Sequence, residues 1–176
     1  SIANRHGKVL AEQGVTVSFV SQRNDLEGQV FASVSEALAA ESFDYVVVAN
    51  ETSKHEAALE ALKGFTGKIL IEKPLAIAAE TFSHFSPEKV TVAFNLRFHP
   101  VLLWLKNQIA GQQVLSVECY VGQDLATWRP ARPVAEQYSA HKSQGGGALR
   151  DLSHELDFLS WLFGDWVQVA ALGGRI

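Results

Sequence analysis

Apolar and polar positions change period several times along the chain, and the changes mark its elements. Ile2 to Gln13 recurs with helical period and is closed by Gly14, and "VTVSFV" (Val15 to Val20) follows as a run of β-branched and aromatic residues expected of a strand. Ser35 stands as the N-cap of a short helix through Ala40. "DYVVVAN" is then continuously apolar, the pattern of a strand covered on both faces, and Thr52 or Ser53 starts a helix ending near Gly64. "KILIEKP" and "VTVAFN" read as two more strands, separated by a short helix around Ala78 to His84. Helix and strand therefore alternate, which predicts an α/β, doubly wound, mostly parallel sheet with its ligand crevice at the carboxyl ends of the strands.

Beyond Asn95 the rhythm is different. "HPVLLWLKNQIAG" predicts a helix with Pro100 in its first turn, and "VLSVECYVGQ" a long strand with partial alternation. A turn-rich polar connection runs from Asp124 to Gly147, then an apolar helix, then the strand-like "WVQVAALGG". These changes place a domain boundary near Arg97, giving one unit over 1–96 and a second over 97–176. The second contributes too little sheet to cover its own apolar faces.

Ionisable residues complicate the last helix, "GGGALRDLSHELDFLSWLFG". Leu152, Leu156, Leu159 and Phe163 fall within roughly 60° of one another and form the expected core stripe. Asp151, His154 and Asp157 lie off it, each one helical turn from the next. They read as a solvated face or as an acid/base unit in which a carboxylate fixes the imidazole tautomer, and Asp151 and His154 with His141 are a weaker alternative as a metal site, no metal being expected. Gly145 to Gly147 would let a ligand approach the backbone closely, or would only form a flexible turn. In "ILIEKPLA", Glu72, Lys73 and Pro74 sit at a strand's carboxyl end: a surface ion pair with a turn proline, or a lysine that supplies positive charge where an alkoxide develops. After "VTVSFV", Ser21, Gln22 and Arg23 stand where an acidic residue would bind the ribose 2′-hydroxyl of NAD; Ser21 and Arg23 suit a 2′-phosphate instead. His55, in the first turn of its helix, reads as a capping or packing residue.

Composition narrows the class. Hydrophobic residues make up 47% and charged residues 19%, values of a globular protein. A net charge of -4 without a basic block disfavours nucleic acid. No apolar run is long enough to span a bilayer, so no membrane association is expected, and the lone Cys119 points to a reducing, cytoplasmic setting.

Together, "EKPLA", "VAFNLRFHP" and "GGGALRDLSHELDFLSWLFG" resemble the glucose-fructose oxidoreductase / inositol dehydrogenase (Gfo/Idh/MocA) family. The resemblance implies a Rossmann domain followed by an α+β domain with an open mixed sheet, and NAD(P)-dependent hydride transfer at a hydroxyl or carbonyl carbon of a sugar, polyol or sugar derivative. It implies Lys73 as the active-site lysine, Glu72 as its nicotinamide-side neighbour, a cis Lys73–Pro74 peptide, and Asp151 and His154 as the catalytic pair, with Asp157 orienting His154. Asn50, Glu72, Lys73, Pro74 and Asn95, with Ser21 and Arg23, are the expected cofactor contacts, and the last two tilt the choice towards NADP. Arg97, Trp128 and Arg129 are expected at the substrate, with His99, Tyr120 and Lys142 as further candidates. The resemblance also implies a homo-oligomer when complete. Three departures stand out: Asp151 and His154 are three residues apart where the family usually has four, Asn50 and Glu51 replace a common Thr-Pro pair, and the glycine-rich fingerprint is absent. The chain thus reads as a fragment lacking the first strand and its loop and stopping early in the second domain. The rival reading is a nucleotide-binding or sensor protein of the same fold without turnover.

Overall fold

The computed structural model describes residues 1–23, 26–77, 85–128, 130–131 and 133–173. Helix α1 (Ile2–Glu12) starts at Ser1, whose hydroxyl accepts from the Asn4 amide at 3.4 Å. Strands β1 (Ser18–Val20) and β2 (Gln29–Phe31) pair in parallel, and β3 (Tyr45–Val48), β4 (Lys68–Ile71) and β5 (Val90–Val92) form a parallel sheet in the order β3-β4-β5. Helix α2 (Val34–Ala40) connects β2 to β3, and α3 (His55–Ala61) connects β3 to β4 after a 3-10 turn at Thr52–Lys54. Parallel neighbours need such crossovers, and α3 supplies the one between β3 and β4, while the strands expected in one sheet fall into two among the described residues.

The core lies between α3 and this sheet. Val48, Leu59, Leu62, Ile69 and Ile71 form its buried cluster, with Val46, Phe65, Leu75, Val90 and Val92 packed around it. Leu59, Leu62, Ile69 and Ile71 are at most 1% exposed, and each such side chain contributes about 1.5–3 kcal/mol on burial. These four hold β4, the middle strand, in place.

Local differences from the sequence reading have identifiable causes. The cap of α2 is Ser33, not Ser35: the Ser33 hydroxyl accepts from the Glu36 amide at 3.1 Å, and the Glu36 carboxylate accepts from the Ala32 amide at 2.8 Å. This is close to the reciprocal arrangement that Ser-x-x-Glu favours. Neither Thr52 nor Ser53 caps α3 with its side chain; Lys54 is the N-cap and Thr52 is buried. Strand β2 was not expected, being only three residues long with two of them exposed. The helix expected around Ala78 to His84 lies outside the described residues.

The second half is helical and irregular. Helix α4 (Pro100–Ile109) is capped by His99, whose Nδ1 accepts from the Val101 amide at 3.2 Å. Helix α5 (Leu125–Trp128) follows, then 3-10 turns at Val134–Glu136, Tyr138–Ala140 and Lys142–Gln144, then α6 (Ala148–Asp151) and α7 (Ser153–Phe163). The strands expected in "VLSVECYVGQ" and "WVQVAALGG" do not form, so the open mixed sheet of the second unit is absent among the described residues. An extended segment is stable only when its backbone groups and apolar side chains meet a neighbour, and no described strand lies beside either. Leu115 is 87% and Tyr120 97% exposed in consequence. The chain presents 12792 Å² of accessible surface, against about 8,400 Å² for a compact monomer of its mass. No described helix is long and apolar enough to cross a membrane.

Candidate active site

The register pairs Val48 with Ile71 and Ile71 with Val92. Two residues further on, Asn50, Lys73 and Phe94 therefore lie side by side at the carboxyl edge of the sheet. Neighbouring residues of an extended chain point to opposite sides, so Glu72 and Lys73 diverge. Glu72 turns towards α1, with its Oε1 2.7 Å from His6 Nε2, while its Oε2 accepts from the Lys73 amide at 3.3 Å. Lys73, whose peptide bond to Pro74 is cis, reaches the other way and donates from Nζ to the main-chain oxygen of Asp151 at 2.6 Å.

Asp151 ends α6, and the backbone turns at Leu152 (φ -99°, ψ 30°) before α7 begins. The single helix expected here is thus two helices, and the expected core stripe is only partly covered: Leu152 and Leu159 are half-buried while Leu156 and Phe163 are exposed. Asp151 is 6% exposed, whereas Leu156 of the expected core stripe is 44% exposed. The Asp151 carboxylate accepts from the Tyr138 hydroxyl at 2.9 Å. The triple glycine packs against protein more than it opens to a ligand. A Cβ at Gly145 (φ +90°) would fall 2.7 Å from the Thr52 Cβ, and one at Gly146 would fall 2.6 Å from the Ser139 carbonyl oxygen. Only Gly147 faces open space.

His154, in the first turn of α7, is half-buried and meets the Phe94 ring edge-on at 6.0 Å between centroids. Its Nδ1 is buried without a hydrogen-bond partner. Burial foremost, and then the Lys73 ammonium, push the imidazole below its ordinary pKa, against smaller opposing fields from Glu155, Asp157 and Glu72. A neutral imidazole beside an ammonium can accept a proton, the requirement for a general base.

Asp157 does not orient His154 through a hydrogen bond. Both of its oxygens are engaged by Arg97, Nε to Oδ2 at 2.9 Å and Nη2 to Oδ1 at 2.6 Å. That bond foremost raises the Arg97 guanidinium above its ordinary pKa. Arg97 thus directs Nε and Nη2 to α7, with its side chain 43% exposed, and lies 6.0 Å from the Phe94 ring centroid.

The remaining candidates are scattered. At the end of β1 the Ser21 hydroxyl accepts from the Arg23 amide at 3.1 Å. Asn50 donates to the Lys54 carbonyl at 3.4 Å, and Asn95 is exposed at the start of a 3-10 turn, Asn95–Phe98. Trp128 ends α5 and is 37% exposed, Tyr120 and Lys142 are exposed, and Arg129 lies outside the described residues. His55 is a core residue: it is 1% exposed, with Nδ1 3.1 Å from the Leu75 carbonyl and Nε2 3.3 Å from the Asn50 carbonyl. His141 bonds the Ala135 carbonyl at 2.7 Å, and among the described residues no three His, Cys, Asp or Glu side chains gather as metal ligands. Tyr138, His6 and Phe94 were missed. Only Tyr138 left a trace in the sequence, as an aromatic residue in a polar loop shortly before the glycines.

Residues 4–87 match the GFO_IDH_MocA model, an oxidoreductase family with an NAD-binding Rossmann fold. Over that span the chain is similar to this family. An uncharacterized oxidoreductase of Synechocystis is 31% identical over 162 residues, 86% of this chain and 43% of the relative, so the chain spans less than half of that protein's length. The WlbA (WbpB) dehydrogenase of Thermus thermophilus, solved with NAD and α-ketoglutarate, superposes with a TM-score of 0.67 at 19% identity, over 95% of this chain and 60% of that one. The WlbA dehydrogenase of Bordetella pertussis, solved with NADH and UDP-GlcNAcA, gives 0.72 at 19% identity, over 93% and 56%. These likenesses establish the α/β Rossmann-type fold.

Proposed function

We propose that the protein is an NAD(P)-dependent oxidoreductase that moves a hydride to or from a hydroxyl or carbonyl carbon of a sugar, polyol or sugar derivative. The observation that carries this reading is the 2.6 Å bond from Lys73 Nζ to the Asp151 carbonyl, which joins the strand-end lysine to the segment bearing His154. The crevice at Asn50, Lys73 and Phe94, with the Ser21–Arg23 turn at the end of β1, fits a dinucleotide. Ser21, Arg23, Asn50, Glu72, Lys73, Pro74 and Asn95 would hold it, and its nicotinamide supplies the hydride acceptor or donor. In the oxidation direction His154 takes the hydroxyl proton, and Lys73 stabilises the negative charge growing on the same oxygen. Residues 1–96 serve the cofactor and residues 97–176 the substrate in this scheme. The sugar class is supported by the sugar-nucleotide complex of the Bordetella relative. A homo-oligomer in the cytoplasm completes the reading.

Titration with NADH and NADPH, followed by nicotinamide fluorescence, and a hydride-transfer screen over sugars and polyols test it. His154→Ala should lower kcat by about 10²- to 10⁴-fold and leave cofactor affinity nearly unchanged. Arg23→Ala should weaken NADPH far more than NADH. Cofactor binding without turnover of any compound would favour the sensor reading instead.

A further inference from the structure

Asp151 is joined to its surroundings twice, by different atoms. Its carboxylate holds the Tyr138 hydroxyl at 2.9 Å, and its main-chain oxygen holds the Lys73 ammonium at 2.6 Å. With 6% of the residue exposed, the carboxylate is poorly placed to meet a substrate and well placed to anchor a neighbour. Tyr138 opens the Tyr138–Ala140 turn, which is itself wedged: Gly146 packs against the carbonyls of Tyr138 and Ser139, and Gly145 against Thr52, just beyond β3. Arg150 adds a strut from α6, donating to the Gly146 carbonyl at 3.1 Å and the Ile77 carbonyl at 2.6 Å. The glycines and α6 are therefore tied to the segments that follow β3 and β4.

We propose that Tyr138 is a positioning residue, whose hydroxyl fixes Asp151 so that the carbonyl of the same residue holds the Lys73 ammonium in the crevice. Asp151 then acts as a latch and not as a proton carrier. The catalytic importance of the latch rests on the hydride-transfer reading, but the latch itself does not.

Two measurements that involve neither cofactor nor turnover test it. In the first, lysines are trace-labelled with acetic anhydride and the label at Lys73 is read by mass spectrometry against Lys8, a surface lysine of α1. In the second, amide hydrogen exchange is followed in residues 137–147. Tyr138→Phe keeps the ring and removes only the hydroxyl. It should speed exchange in the loop by about tenfold or more, the factor implied by losing a hydrogen bond to a charged group. It should also raise relative labelling of Lys73 several-fold. Asp151→Ala should do the same. Asp151→Asn keeps an oxygen for the Tyr138 hydroxyl and should restore both readouts towards wild type, and circular dichroism confirms that each variant is folded. Wild-type labelling and exchange in folded Tyr138→Phe would overturn the latch, as would Asp151→Asn behaving like Asp151→Ala. Failure to bind any nicotinamide dinucleotide would instead overturn the functional reading and leave the latch standing.

Discussion

Arg97 and Asp157, sixty residues apart, meet as a two-bonded pair at 2.9 Å and 2.6 Å, the Asp157 side chain 7% and the Arg97 side chain 43% exposed. The pair ties the turn after β5 to the middle of α7. It fixes the helix carrying His154 relative to the sheet carrying Lys73.

Removing Arg97 leaves the buried carboxylate unpaired, and removing Asp157 leaves the guanidinium without its partner. A hydrogen bond to a charged group contributes about 1.5–3 kcal/mol, and solvent around Arg97 reduces that to about 1–2 kcal/mol. Arg97→Ala and Asp157→Ala should each lower stability by that amount in urea unfolding. A double-mutant cycle should give a coupling of about 1 kcal/mol. Additive losses would show that the pair contributes nothing beyond its separate contacts.

His154 should titrate below 6.5, its ordinary value, in an NMR titration of the folded protein. The unfolded chain then binds more protons than the folded one between those two pKa values, so stability falls as pH drops through about 6.5 and levels off below the folded value. His154→Gln should remove this contribution. Above pH 7 the imidazole is neutral in both states, and no such effect of the substitution is expected there.

Leu156→Ala and Ile71→Ala test which face of α7 is inside. Ile71 is 0% exposed in the central strand, and its truncation should cost about 2–5 kcal/mol. Leu156 is 44% exposed and should cost under about 1 kcal/mol. Comparable losses at the two positions would return Leu156 to a core role.

Gly146→Ala should loosen the loop before α6 even though alanine is the smallest change available. The added Cβ would fall 2.6 Å from the backbone oxygen of Ser139, which cannot rotate aside as a side chain would. A loss of about 1–3 kcal/mol in unfolding, with faster exchange at residues 137–147, is the expected outcome. Gly147→Ala meets no such neighbour, and strain from its backbone (φ +121°) is the term it should report.

The alternating half of the fold was legible because β3 and β4 are continuous apolar runs bounded by turn residues, a signal that survives without neighbours. β2 was not, since Gln29, Val30 and Phe31 are too few to establish a period. Lys73 and His154 stood out from their motifs as candidates, but their partners did not. Glu72 with His6, Asp151 with Tyr138 and Asp157 with Arg97 are contacts across 66, 13 and 60 residues. No local pattern encodes a pairing that only the folded chain creates. The same gap explains the exposure of Leu156 and Phe163 on α7: periodicity identifies two faces of a helix and says nothing about which one its surroundings cover.

Leu115, Tyr120, Val167 and Leu172 each leave 87% or more of their surface in water, in segments with strand-like sequence and no strand beside them. Bare apolar chain with unmet backbone groups is what chaperones hold and proteases cut. Cover for those segments would slow their cleavage by a protease. The protein's steady-state amount should rise more than proportionally with synthesis if the cover is another copy, because mass action favours the covered form.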